Sequence, residues 1–295
     1  MAEPFSVAIR RGEILESIHR VHAVAVQDGK VVASAGDPDL LASLRSSAKP
    51  IQALLLARVH EELDENDLAI ASASHFGTEL HIEAVRALLK NTSGSESELD
   101  CGLQDGRPPE QIYHNCSGKH AAMIAVCRAH GWPVEGYRHP DHPLQQALHA
   151  EVAAAAELEP KDVPTGPDGC GVVCFALPLE RAARAFARFD QLDGGTRIAA
   201  AMRARPELVG GNGGTDTELM RTVSGWIAKG GAEGLMCAAS ADGLGIALKT
   251  QDGNSRALRP ALAQFGAALG VDLSGFAEQT IRNSHGEPAG STARF

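Results

Sequence analysis

The stretch Val21-His22-Ala23-Val24-Ala25-Val26-Gln27-Asp28-Gly29-Lys30-Val31-Val32 constrains the fold more than any other part of the chain. Two β-branched runs flank a two-residue Asp-Gly connection, and that dipeptide supplies the positive φ angles a tight hairpin turn requires. The fold therefore opens with antiparallel sheet. Strand character returns at Leu235-Met236-Cys237-Ala238 and at Leu244 to Lys249, with Asp252-Gly253-Asn254 as a turn and a helix over Ala257 to Leu269. The two ends of the chain are thus expected to share one sheet.

Between them the pattern changes. The apolar stretch Leu68-Ala69-Ile70-Ala71 reads as a buried strand ending at Ser74, and a helix is expected over Glu79 to Lys90. The polar patch Asn91-Thr92-Ser93-Gly94-Ser95 reads as a loop and a lobe boundary. Helical periodicity then dominates over His120 to His130, Pro143 to Leu158, Pro178 to Phe189, Thr196 to Arg205 and Asp216 to Ala228. The expectation is an α/β (α+β) fold, an antiparallel sheet flanked by helices with a helical lobe. Residues 1–90 plus 230–295 would form the sheet lobe and 91–229 the helical lobe of one two-lobed unit, with a cleft between them. The tail after Arg282, rich in Gly, Ser and His, reads as partly mobile.

With 295 residues, 44% hydrophobic and 22% charged, the chain can bury a large core. A formal charge of −10 and 4% aromatic residues speak against nucleic acid, whose phosphates and bases call for clustered cations and rings. No run approaches the roughly 18 apolar residues of a membrane span, and the N-terminus lacks the basic and apolar regions of an export signal. A cytoplasmic location is expected, with the cysteines reduced unless they bind metal or react. Cys127 and Cys174 read as small buried apolar residues.

Chemistry concentrates in a few places. Ser46 and Lys49 stand three apart at a helix start, with Pro50 in the first turn where its missing N–H costs little. That spacing puts hydroxyl and amine on one helix face, Cβ atoms about 5 to 6 Å apart. A desolvated lysine can take the proton of a neighbouring serine. Ser74-His75 and Lys249-Thr250 fall at the ends of expected strands. The heptapeptide His114-Asn115-Cys116-Ser117-Gly118-Lys119-His120 and the turn Thr165-Gly166-Pro167-Asp168-Gly169-Cys170-Gly171 each present a thiol on a glycine-punctuated loop. Two reduced thiols on two loops suggest zinc, although two unrelated cysteines would leave the same trace. Lys119 could ligate only as a free amine and otherwise reads as a substrate-binding cation. His114 reads as a turn histidine, whereas His75 and His120 are expected to reach the cleft. The loop Val209-Gly210-Gly211-Asn212-Gly213-Gly214-Thr215 reads as a linker, with no phosphate-loop G-K-[ST].

Taken together, Arg45-Ser46-Ser47-Ala48-Lys49-Pro50, Ala73-Ser74-His75, Asn115-Cys116-Ser117-Gly118-Lys119-His120, Asp168-Gly169-Cys170 and Leu248-Lys249-Thr250-Gln251-Asp252-Gly253 resemble the asparaginase II family of the Rhizobium etli inducible type. His142-Pro143 and Arg205-Pro206-Glu207-Leu208-Val209 add to the likeness. The resemblance implies a serine β-lactamase/glutaminase-like fold, hydrolysis of L-asparagine to aspartate and ammonia, and a homodimer. By motif it implies two Ser-Lys tandems, Ser46 with Lys49 and Ser74 with Lys249, and zinc held by Cys116, Lys119 and Cys170. Arg45, His75, His120 and Asp168 are the candidates for binding the substrate's charged groups. The chain departs from the family pattern at Phe76-Gly77-Thr78, where a small polar pair and an acid are common, and in a short segment from Asn91 to Tyr113. The rival readings are another Ser-Lys amidohydrolase, such as a glutaminase or a β-lactam or peptide amidase, and a zinc-dependent asparagine-binding protein without turnover.

Overall fold

The computed structural model describes residues 3–295. Its strands are β1 (Phe5–Arg11), β2 (Ile14–Gln27), β3 (Lys30–Ala35), β4 (Leu41–Ser43), β5 (Thr165–Pro167), β6 (Val173–Pro178), β7 (Ile227–Gly231), β8 (Leu235–Ala239), β9 (Gly245–Thr250), β10 (Glu278–Arg282) and β11 (Pro288–Arg294). Eight of them form an antiparallel sheet in the order β10-β11-β1-β2-β9-β8-β7, with β3 paired to β2. The expected hairpin is the β2–β3 connection, where Asp28 and Gly29 both adopt positive φ, 50° and 71°. The two ends of the chain do share this sheet, since β1 pairs with β11 and β2 with β9.

Both sheet faces are covered, which explains why Val21 and Ala23 through Val26 are all fully buried instead of alternating. The helix Leu179–Ala187 packs on β2, β8 and β9. The contact is close: a Cβ on Gly245 would meet Ala183 O at 2.2 Å. The helix Leu258–Ala268 lies against β1, β9, β10 and β11, with Phe5 and Phe265 meeting edge to face at 5.8 Å. A small antiparallel sheet, β4-β6-β5, sits apart.

The helical layer draws on both sides of residue 91, because Leu54–Val59, Glu65–Ala71 and Glu79–Asn91 all pack against Ser117–His130. The stretch expected as a strand before Ser74 is the helix Glu65–Ala71. Asp64 caps it, accepting from the N–H groups of Asn66 and Asp67. A four-residue apolar run cannot by itself tell a buried strand from a buried helix, and here the cap decides. The helix expected over 216–228 ends at Thr222, and Ile227 to Gly231 turn into the edge strand β7. The tail expected to be mobile instead forms β11, in register with β1 from Val7↔Arg294 to Arg10↔Ser291. Gly290 is required there, as a Cβ would stand 2.0 Å from Arg10 O.

Candidate active site

The chain leaves β4 through a 3₁₀ turn, Arg45–Ala48, and runs straight into the short helix Lys49–Gln52. Arg45 holds φ at 45°, a conformation few non-glycine residues adopt. That turn places Ser46 partly exposed above a Lys49 that is completely buried. Lys49 Nζ donates to Ser74 Oγ at 2.9 Å and to Ala73 O at 2.6 Å, with Asn115 O at 3.4 Å. Burial lowers its pKa to about 8, helped by the nearby cations of Lys119 and Lys229 and opposed by Cys116. Lys49 is thus poised to carry or release a proton near neutral pH.

The lysine that serves Ser74 is Lys49, and the expected pairing of Ser74 with Lys249 is not formed. Lys249 Nζ donates to Glu233 O at 2.7 Å and Thr250 O at 2.6 Å, on a half-exposed side chain. Nor does a hydrogen bond join Ser46 to Lys49 among the described residues. A second buried lysine is joined to the same turn through its backbone. Lys229 on β7 is 1% exposed, and its carbonyl accepts from Ser47 Oγ at 2.8 Å. Its Nζ donates to Asp216 Oδ2 at 3.2 Å and Gly230 O at 2.9 Å, and the Gly230 N–H donates to the same carboxylate oxygen. The neighbouring Gly231 allows the approach, since a Cβ there would lie 2.7 Å from Leu44 O. Sequence reasoning missed Lys229 because it fell at the end of an expected helix. The signal was a charged residue breaking Trp226-Ile227-Ala228 just before two glycines.

The thiol loops converge as expected. Lys119 Nζ donates to Cys170 Sγ at 3.1 Å and lies 3.5 Å from Asp168 Oδ2, while Cys116 Sγ donates to Asn115 Oδ1 at 3.0 Å. The interaction between the two thiols holds Cys116 well below its usual range and pushes Cys170 up, so Cys116 is the first of the two to ionise. Burial pulls against the Lys119 ammonium, but Cys116, Cys170 and Asp168 outweigh it and raise its pKa. Among the described residues no three His, Cys, Asp or Glu side chains group in metal-binding geometry. A metal here would need Lys119 as its third donor. Two sulfurs and an amine in one buried cluster fit zinc by donor chemistry, provided Lys119 gives up its proton.

The remaining expected site residues surround this cluster. Arg45 Nε donates to Asp168 Oδ1 at 2.7 Å. Burial opposes the Asp168 carboxylate, yet Lys119 and Arg45 hold its pKa below the usual range. His75 is fully buried, its Nε2 2.8 Å from Ser117 Oγ and its Nδ1 accepting from the Gly77 N–H. His120 is fully buried too, with Nδ1 2.6 Å from Tyr137 OH and Nε2 without a partner. Burial pushes both imidazoles well below their ordinary pKa, so both are neutral at pH 7. His114 accepts from the Cys116 N–H, as a turn histidine does. Cys127 and Cys174 are buried. A cavity of about 530 Å³ beside Arg184, Arg188, Arg203 and Asp190 lies among none of these residues.

Solved structures similar to this one include Mglu in its native form in the presence of 4.3 M NaCl, with TM-score 0.51 and 13% identity, covering 86% of this chain and 62% of that chain. A putative β-lactamase from Bacteroides dorei DSM 17855 has TM-score 0.45 and 15% identity over 83% of this chain and 92% of that one. A probable glutaminase from Bacillus subtilis has TM-score 0.43 and 12% identity over 86% and 89%. The likeness to Mglu concerns the α/β fold alone. No curated protein matches the sequence. The family model described as L-asparaginase II matches residues 7–293, nearly the whole chain, and the chain belongs to that amidohydrolase family.

Proposed function

We propose that the protein hydrolyses L-asparagine to aspartate and ammonia through a serine ester. The observation that carries the reading is the bond to Ser74 from the buried Lys49, on the turn that also carries the partly exposed Ser46 three residues before the lysine. Ser46 attacks the side-chain amide carbon, and Lys49 in its neutral form receives the proton. Ser74, bonded to Lys49, relays that proton to the departing ammonia. Lys229 braces the same turn, its carbonyl accepting from Ser47 Oγ while Asp216 holds its ammonium. Water then cleaves the β-aspartyl ester with the same groups running in reverse.

Cys116, Lys119 and Cys170 would hold zinc. When bound, zinc supplies a Lewis acid that orients a substrate group; the serine remains the nucleophile. Arg45 and Asp168, ion-paired with one another, fix the loop carrying Cys170 against the turn carrying Ser46. The protein is further read as a cytoplasmic homodimer. No helix among the described residues is long and apolar enough to cross a membrane.

Ammonia release from L-asparagine and L-glutamine by wild-type and Ser46→Ala protein tests the reading. Release from asparagine that falls at least 10³-fold in the variant, on the order of a lost catalytic serine, is the expected result. Faster release from glutamine would redirect the reading to a glutaminase. Asparagine binding without ammonia would replace it with the binding-protein reading.

A further inference from the structure

The substrate's α-carboxylate needs a cation, and the other cations near the serines are occupied. Arg45 is paired with Asp168, Lys119 with Asp168 and Cys170, and Lys229 with Asp216. His75 and His120 are fully enclosed. One arginine beside Ser74 has no acidic partner among the described residues. Arg107 Nη2 donates to His75 O at 3.1 Å and Nη1 to Tyr113 O at 3.0 Å.

Arg107 sits on the segment that departs from the family pattern, and it is tied to the departure at 76–78 as well. Gly77 adopts φ 68°, and a Cβ there would lie 2.5 Å from Arg107 Nη1, so the glycine makes room for the guanidinium. The carbonyl of Asn115 joins this corner to the catalytic lysine, accepting from the His75 N–H at 3.2 Å with Lys49 Nζ at 3.4 Å. The loop is fastened to the same residue, because Gln104 Oε1 accepts from the Asn115 N–H at 2.8 Å. A guanidinium carries five N–H donors in a planar fork that matches a carboxylate. Two are used on carbonyls, and the partly exposed side chain leaves three for an incoming anion.

Resting on the asparaginase reading, we propose that Arg107 binds the α-carboxylate of the substrate and sets the preference for amino-acid amides over simple amides. His75 directly follows Ser74, and successive Cα atoms are about 3.8 Å apart. Bonded to the His75 carbonyl, the guanidinium lies beside the backbone of the Ser74-His75 pair. Held partly out of water with no acid, its charge gains from a carboxylate more than a solvated arginine would.

The test compares L-asparagine with 3-aminopropanamide, the same side-chain amide without the carboxylate, on wild-type, Arg107→Gln and Arg107→Lys proteins. Arg107→Gln is expected to lower the ratio of kcat/KM for the two substrates at least tenfold, mainly through the KM for asparagine. Arg107→Lys should recover part of the ratio, as it keeps the charge and loses the fork. Equal losses on both substrates would overturn the proposal, leaving Arg107 as a brace for His75 and Tyr113. An unchanged asparagine KM would also overturn it. Should the wild type bind asparagine without hydrolysing it, the hydrolase reading falls alone. The same variants are then compared by calorimetric asparagine Kd, where a loss of at least tenfold in Arg107→Gln supports Arg107 and an unchanged Kd overturns it.

Discussion

At the scale of residues, the chemistry depends on a charge kept out of water. A lysine in water holds its proton up to pH 10, which makes it a poor base at neutrality. Lys49 has no carboxylate among its hydrogen-bond partners, only Ser74 Oγ and two backbone carbonyls. Its pKa is lowered from 10.5 to about 8, chiefly by burial. The sign follows directly: the amine becomes a base on losing its proton, so the competent fraction rises with pH through the shifted value. If free Lys49 is the base, kcat/KM for asparagine should climb about tenfold per pH unit below 8 and level off above it. A flat profile from pH 6 to 9 would show that the lysine works as a cation. The same shift bears on stability. The folded pKa lies below the unfolded one, so burying Lys49 costs most below pH 8 and the cost fades as pH rises toward 10.5.

The elements explain what the sequence made legible. The Asp28-Gly29 hairpin, the Ser46-x-x-Lys49 turn and the thiol loops were readable because each rests on local rules: positive φ, helix spacing and glycine punctuation. What stayed hidden depends on packing across the chain. Leu68 to Ala71 has no period of its own, and its state is set by the Asp64 cap and by burial between neighbouring helices. The 288–294 strand looks polar because it lies near the sheet's outer edge, where most of its side chains are only partly buried. Lys229 joined the site through strand order, which no local pattern encodes. Lys249, though its motif matched the family, lies on β9 behind β8 and β7 and reaches Glu233 O instead. Gly118 shows how tightly the elements hold the site. A Cβ there would lie 2.1 Å from Ile70 O, where helix Ser117–His130 crosses Glu65–Ala71. Gly118→Ala should therefore push apart the helix that carries Lys119 and His120, costing about 1 to 3 kcal/mol as other overpacking does. Urea unfolding together with asparagine turnover checks it: a stable variant with normal activity would mean the helices can separate without moving the site.

At the scale of the whole molecule, the site is assembled from segments far apart in sequence. Ser46 and Lys49 follow a strand of the small sheet, Ser74 and Cys116 lie on connections between helices, Cys170 precedes β6, and Lys229 is on the sheet edge. Cys116 and Cys170 meet across the boundary between the helical layer and the β4-β6-β5 sheet. An ion held by both would fasten these parts together, and it would do so only in the folded chain, because the unfolded one does not preform the site. Zinc at a hundred times its Kd would then stabilise the fold by about 2.7 kcal/mol, a rise in Tm of about 5 °C or more. Protein stripped with a chelator and titrated with zinc alone should show that rise, and Cys116→Ser and Cys170→Ser should each lose most of it. Because the Cys116 thiol ionises most readily and Lys119 must shed a proton, zinc uptake should release protons and weaken as pH falls. A stripped wild type whose Tm ignores zinc would remove the metal from the structure's account, leaving the Lys119, Cys116, Cys170 and Asp168 cluster as a purely hydrogen-bonded clasp.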